Sequence, residues 1–425
     1  MSTRKERGLA IAAACKIEKQ SRNRYLVPSQ SKAGSRYVVE PTYPCCDCPD
    51  FQEHGDTCKH LFAVFHLIET EKNADGSVTE TQTLTVIKKK TYQQPDWTKY
   101  NLSQTTEKKW FLSLLADLCS AIPEPERKNQ RGRPILARDA VYAAVYKVYS
   151  GFSARRFTTD LEAAKDAGHI SQAPHFNSVL NVLDSEEATP ILTDLITKSA
   201  SPLRAVETEF AVDSTGFSGS RYIQWIDKKY GQPKKEVAWT KAHVICGTRT
   251  NVITNASILA EKAADAPQLP GLVKKTAETF TVKEVTGDKA YTSQANFNAV
   301  DSVGGTLYAA FKATATGSIG GLFEKMFHLF SIDKEAYQQH YHRRSMIEST
   351  FSMVKRKFGD SLRAKTDLAM KNETLAKFVC HNICCVVAAI YERGIDPTFL
   401  GLAKDDEPRT IIRFPGCTTD DGPAQ

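Results

Sequence analysis

Apolar positions change their period along this chain. Between residues 110 and 201 they recur three and four apart, the spacing that places one stripe along a helix. Helices are predicted at 110–122, 137–149, 154–167, 176–183 and 190–199. After Pro202 the pattern becomes short runs rich in Val, Ile, Thr and aromatic residues, which suit a pleated, half-buried backbone. Strands are expected at 209–213, 222–227, 236–245, 251–259 and 282–288, then a helix at 294–301 and a strand at 306–311. Gly247 and Asn251 bracket an expected hairpin. A stretch rich in Gly, Thr and Ala at 313–322 leads to a long amphipathic helix through residue 358, and a helix at 373–391 is expected to pack behind it. Ahead of all this, 25–27 and 37–40 read as short strands, followed by a cysteine-rich knuckle and a helix at 59–71. Residues 72–108 are polar, with only 84–87 strand-like, and read as a linker. The alternation of strands and helices predicts a multidomain α/β protein.

Composition sharpens this only a little. A chain of 425 residues, 41% hydrophobic and 25% charged, holds two or three ordinary globular domains. Net charge is +7, gathered at Arg4-Lys5, 88–90, Arg131 and Arg133, Arg343-Arg344 and 355–357. Such clustering suits a polyanion. Four of the 11 cysteines fall between Cys45 and Cys58 beside a histidine, which points to metal rather than disulfides. Cys380, Cys384 and Cys385 lie in an apolar helical run and read as buried free thiols in a reducing compartment. No apolar stretch is long enough to cross a bilayer; 383–391 reads as a core helix. The apolar run 9–15 is followed at once by Lys16, Glu18 and Lys19, so a cytosolic N-terminus is expected rather than a signal peptide.

One string changes the picture more: Tyr341-x2-Arg344-x3-Glu348-x6-Lys355. On a continuous helix, at about 100° per residue, these four side chains fall within an arc of roughly 60°. Ile347, Thr350, Phe351, Val354 and Phe358 form the adjoining, mostly apolar face. Glu348, held between an arginine, a lysine and the Tyr341 phenol, could then hold a cation while Arg344 and Lys355 grip phosphate oxygens. The Arg344–Glu348 pair alone would be only a surface ion pair worth a few tenths of a kcal/mol. Two further acids end apolar strands upstream: Asp213 in EFAVD and Asp288 in VTGD, where Gly287 permits close approach. Each aspartate taken singly is equally a turn former. Together, strand, strand and helix are the acid order of ribonuclease H-like folds. There three carboxylates hold two divalent cations, Mg²⁺ or Mn²⁺, about 3.5–4 Å apart.

Cys46-x-Cys48-x9-Cys58-x-His60 has the composition of a closed tetrahedral zinc site holding one structural ion. Residues i and i+2 of an extended segment point the same way, so Cys46 and Cys48 can pinch one ion. On a regular helix Cys58 and His60 would diverge by about 200°, so that pair is expected where a helix begins. Cys45 could replace Cys46, and His54 and His66 are spare. Two weaker readings concern nucleic acid. The helix at 176–183 could read a groove in a helix-turn-helix, and Arg131 and Arg133 could enter a minor groove.

The Tyr-Arg-Glu-Lys string, with AVDSTGF around Asp213 and GDKAY around Asp288, resembles the motifs of bacterial and archaeal insertion-sequence transposases of the DDE type. RGRPILARDAVYAAVYKVYSGFSARR and CHNICCVVAAIYERGI resemble the same family's flanking regions, and the cysteine–histidine string resembles SWIM zinc fingers. The resemblance implies a SWIM-type finger at 1–71, a linker at 72–108, a helical DNA-binding domain at 109–201, a ribonuclease H-like catalytic domain at 202–395 and a tail at 396–425. It implies metal-dependent cleavage at element ends and strand transfer into target DNA by Asp213, Asp288 and Glu348, with Tyr341, Arg344 and Lys355 binding phosphates near the cut. A homodimer on the DNA and action at the nucleoid of a prokaryotic cell, without a membrane, are expected with it. A nuclease that cuts without joining and a domesticated DNA-binding regulator are the alternatives. Some relatives stack a base on a tryptophan between the second aspartate and the glutamate. None occurs here; Phe311, Phe323, Phe327 and Phe330 are the aromatics available, and Trp225 and Trp239 are expected in the core.

Overall fold

Thr3 and Glu6 exchange capping hydrogen bonds at the start of α1 (Arg4–Ala14), so the first apolar run is a helix. The structure, a computed structural model, describes residues 3–399 except 22, 32–33, 73–77, 81–95, 125–134, 220–228, 230–238, 260–262 and 398. The expected strands at 84–87 and 222–227, the Arg131–Arg133 loop, Trp225 and almost all of the tail lie outside the described residues. The chain forms two units, Met1–Gln93 and Gln94–Gln425.

In the first unit β1 (Glu18–Ser21), β2 (Arg24–Pro28), β3 (Arg36–Glu40) and β4 (Cys45–Cys46) make an antiparallel sheet in that order. Two helices follow, α2 (Pro49–His54) and α3 (Lys59–Glu69), then a ribbon of β5 (Thr70–Lys72) and β6 (Val78–Glu80). Helix α1 crosses α3 at Gly8. A Cβ there would lie 2.5 Å from the Phe62 Cβ and 2.7 Å from the Lys59 carbonyl oxygen, so only glycine permits this approach. Ile11, Val27, Val39, Leu61 and Val64 fill the space between sheet and helices.

The second unit opens with α4 (Trp97–Ser120), α5 (Ala137–Ser150), α6 (Thr158–Asp166), α7 (Phe176–Leu183) and α8 (Ala188–Ala200). The first begins well before residue 110, inside the segment read as linker, with Asp96 capping it. Next come β7 (Glu209–Ser218), β8 (Trp239–Gly247), β9 (Ile253–Leu259), α9 (Leu269–Ala277), β10 (Glu284–Gly287), α10 (Gln294–Asp301) and β11 (Thr306–Ala309). The long helix expected after residue 322 is instead divided, beginning with α11 (Gly321–Ile332) and α12 (Lys334–Tyr341). A 3-10 turn, His342–Arg344, then precedes α13 (Ser345–Phe358) and α14 (Asp367–Arg393).

The five strands run in the order β11-β10-β7-β8-β9. Strand β7 is parallel to β10, itself parallel to β11, and antiparallel to β8, itself antiparallel to β9. Phe210, Ala211 and Val212 are all buried, as in a strand covered on both faces. At the β8–β9 turn Asn251 takes φ +60°, and buried Glu207 accepts hydrogen bonds from the Arg249 and Thr250 amides.

The expected boundary at 201/202 is crossed by one continuous core, because α14 packs on α4, α5, α8 and β9. Its Asn382 side chain donates to the carbonyls of Ile196 and Ile253 and accepts from the Ile253 amide; Asn372 bonds Leu183, Ser185 and Thr189. Helix α14 is long and apolar enough to cross a membrane, yet 83% of its most apolar window is buried inside the protein.

Candidate functional site

The register of β7 against β10 decides where the two aspartates stand. Gly287 pairs with Val212, the last pair between these strands, so Asp213 and Asp288 are the residues that follow it on the two chains, and Asp288 is near enough to raise the Asp213 carboxyl. Asp213 is not a strand end as expected. It lies in the middle of β7, at the point where pairing with β10 stops and pairing with β8 continues to Ser218. Asp288 directly follows β10 and caps the next 3-10 turn; its carboxylate accepts the Ala290 amide at 2.8 Å.

Glu348 comes from the first turn of α13, which docks on the core through Ile347, Thr350, Phe351 and Val354, the face foreseen in the sequence. The single continuous helix is corrected. The 3-10 turn separates Tyr341, at the end of α12, from Arg344 and Glu348. Arg344 stands between two of the acids. Its guanidinium reaches Asp213 Oδ2 at 2.8 Å and Glu348 Oε1 at 3.0 Å. Neighbouring Arg343 turns the other way, to Glu284 at 2.6 Å and Glu209 at 3.2 Å. The two arginines thus fasten the turn to the starts of β7 and β10 on one side and to Asp213 on the other.

The side chain of Glu348 is 59% exposed and that of Asp213 18%. Burial pushes the Asp213 carboxyl up, opposed by the Ser214 amide and Arg344 and assisted by Asp288. Burial works against the Arg344 charge, but Asp213, Tyr341 and Glu348 together outweigh it and raise that group. Lys355 lies 5.5 Å from the centre of the buried Phe217 ring, and burial lowers its pKa, with Asp360 opposing. Tyr291, three residues after Asp288, is fully buried against Gly287 and Val212, and sequence reading missed it. The tyrosine in GDKAY was its only signal.

The second cluster lies in the first unit. Cys46, Cys48, Cys58 and His60 are all buried, with ligand atoms within 4.8 Å of one another. It is the one tight group of metal-type ligands among the described residues. Cys46 comes from β4, Cys48 caps α2, and Cys58 directly precedes α3, whose first turn carries His60. That is the helix-start placement the spacing required. His60 turns Nδ1 to the Cys46 and Cys58 sulfurs, 3.9 Å from each, and leaves Nε2 buried without a protein partner. A zinc ion at about 2.3 Å from each sulfur would set sulfurs about 3.8 Å apart, so the pocket fits the ion. Hydrogen bonding from Cys46 holds the Cys58 thiol down to about 4, as for a thiolate ligand, and that same bond raises Cys46. Cys45 is exposed and leaves the Cys46 assignment standing.

Two aromatic expectations meet the structure differently. Phe311 packs on Phe323, Phe327 and Phe330 with centroids 5.3–5.4 Å apart, so these rings serve one another. Trp239 is not a core residue; it is 47% exposed and lies over Gly216.

Comparison with known families matches residues 204–383 to the transposase DDE domain and residues 44–69 to the SWIM zinc finger. No curated protein matches the chain. Among solved structures, the piggyBac transposase synaptic complex with hairpin DNA is similar at 10% identity over 71% of this chain and 78% of that chain. Its TM-score is 0.33, which transfers no residue correspondence.

Proposed function

We propose that this chain, a DDE transposase with a SWIM zinc finger by the domains it carries, uses Asp213, Asp288 and Glu348 as its catalytic carboxylates. It is of the Tyr-Arg-Glu-Lys type found in insertion sequences, and its substrates are the DNA ends of its element and the target DNA. What supports the triad is the strand register: Asp213 and Asp288 leave paired positions of β7 and β10, and Arg344 links Asp213 to Glu348.

The donor set is all carboxylate oxygen, which suits hard divalent cations. Asp213, Asp288 and Glu348 would hold two such ions, Mg²⁺ or Mn²⁺, which supply a more acidic water or 3′-hydroxyl and neutralise charge on the departing oxygen. The chain's own groups do the rest. Arg344 neutralises the acids against one another and offers its remaining N–H groups to a phosphate. Tyr341 and Lys355 bind the backbone to either side of the cut. Cys46, Cys48, Cys58 and His60 hold one zinc ion that keeps the finger folded. Two ends are handled together by a homodimer on the DNA, at the nucleoid of a prokaryotic cell.

The test is incubation of the protein with its element-end DNA and Mg²⁺ or Mn²⁺. Wild type is expected to nick the end and join it to a target; Asp213→Asn should lose about a thousandfold or more in rate while binding the same DNA. Cutting without joining would make the protein a nuclease, and binding alone would make it a regulator.

A further inference from the structure

Two side chains of α14 that no sequence motif marked, Glu373 and Lys377, grip the connector leaving α13. They are 4% and 1% exposed. The Lys377 ammonium donates to the carbonyls of Gly359 at 3.0 Å and Ser361 at 2.9 Å. The Glu373 carboxylate accepts the amides of Arg363 at 2.9 Å and Ala364 at 2.8 Å, and the two side chains lie 3.9 Å apart. The same connector is stitched to the end of β7. The Ser218 amide donates to the Asp360 carbonyl at 3.1 Å, and the Leu362 amide donates to the Ser218 carbonyl at 2.9 Å.

Helix α13 is therefore tied to β7 at both ends. At its start Arg344 holds Asp213; at its finish the connector holds Ser218. Asp213 to Ser218 covers about 17 Å of strand, and α13 about 21 Å of helix, so the two run alongside each other. We infer that the Glu373–Lys377 pair is a positioning device for the catalytic helix, setting Glu348 against Asp213 from a distance. The inference rests on the reading of those two acids as catalytic. Neither Glu373 nor Lys377 touches them. An apolar pair would fill the same space without the desolvation penalty, but it could not hold four backbone groups in one arrangement.

The clamp is a charged one. Lys377 faces Glu373 on its own helix, Asp360 and Arg363 from the connector, and Lys147 from α5. The Phe217 ring lies beneath it, and Lys355 is over the same ring. Burial brings its pKa down to about 8, with Arg363 and Lys147 adding and Glu373 and Asp360 opposing. An unfolded lysine titrates near 10.4. Between about pH 8 and 10 the folded chain thus binds fewer protons at this group than the unfolded chain, and stability from this group rises with pH. The ion pair is lost over the same interval. Activity and stability are expected to part company there.

The experiment uses the full chain and three measurements: turnover at saturating DNA end and Mn²⁺, equilibrium binding of that DNA, and amide exchange at Ser218 and Leu362. Glu373→Gln and Lys377→Met should each lower turnover about tenfold to a hundredfold, leave DNA affinity within about threefold, and speed exchange at both amides. Lys377→Arg should keep turnover and move its alkaline fall to higher pH. Wild-type turnover with unchanged exchange in Glu373→Gln, or an unmoved alkaline limb in Lys377→Arg, would overturn the proposal. Should Lys377→Met fail to fold, the nearly isosteric Glu373→Gln decides. A wild-type protein that cuts no DNA would defeat the proposed function instead, and the exchange measurement would still judge the clamp.

Discussion

The cysteine–histidine knuckle and the carboxylate site are built on opposite plans. The knuckle draws its four ligands from residues 46–60, all buried, and closes them around one point. The acids proposed as catalytic come from positions 213, 288 and 348, are related through strand register and an intervening arginine, and leave Glu348 open to solvent. A closed ligand set holds a structure together, whereas an open one leaves room for a substrate. The difference also sets what each region loses when it is altered.

The largest expected effect is at the knuckle. Structural zinc contributes an apparent binding energy of about 10–16 kcal/mol in comparable small units, so Cys58→Ser should lose one zinc per chain and unfold Met1–Gln93. Elemental analysis and amide exchange would show this, with the melting of Gln94–Gln425 unchanged; retained zinc would break the comparison. Asp213→Asn should do the reverse, removing catalysis while the protein melts at or above the wild-type temperature. The sign follows from the raised Asp213 pKa: the fold disfavours the ionised carboxylate at neutral pH, so removing that charge relieves the native state. A clearly lower melting temperature would show that Asp213 also holds the fold. The smallest effect belongs to Gly8→Ala, which forces α1 off α3 and should cost about 1–3 kcal/mol in the first unit, with zinc still bound.

The same contrast explains what the sequence made legible. The knuckle was readable because its spacing is local; Cys46-x-Cys48 on extended chain and Cys58-x-His60 at a helix start need no knowledge of the rest of the fold. The acids were readable as residue types at the close of apolar runs, and the apolar face of α13 matched its burial. Their geometry was not readable. Asp213 is mid-strand because β8 pairs with β7 as far as Ser218, and no property of β7 itself announces how far its partner reaches. The break at His342–Arg344 was hidden because a 3-10 turn keeps helical spacing over three residues. The division of the expected long helix at Asp333 was hidden likewise, because a single capping residue leaves the apolar spacing on either side intact. Trp239 looked like core from its type, whereas Gly216 beneath it leaves the ring lying on the strand surface. The boundary at 201/202 followed a real change of period; what joins its two sides is a helix more than 160 residues further on, beginning at Asp367.

That last helix has a consequence for how the protein comes into being. Asn372 and Asn382 complete hydrogen bonds for groups made far earlier, among them Leu183, Ile196 and Ile253. During synthesis from the N-terminus, the helical layer and most of the sheet leave the ribosome with their central filler still untranslated. Their greasy surfaces must wait, at several residues per second, until α14 emerges. A ribosome stalled ahead of Asp367 would therefore release an aggregation-prone chain rather than a smaller working enzyme.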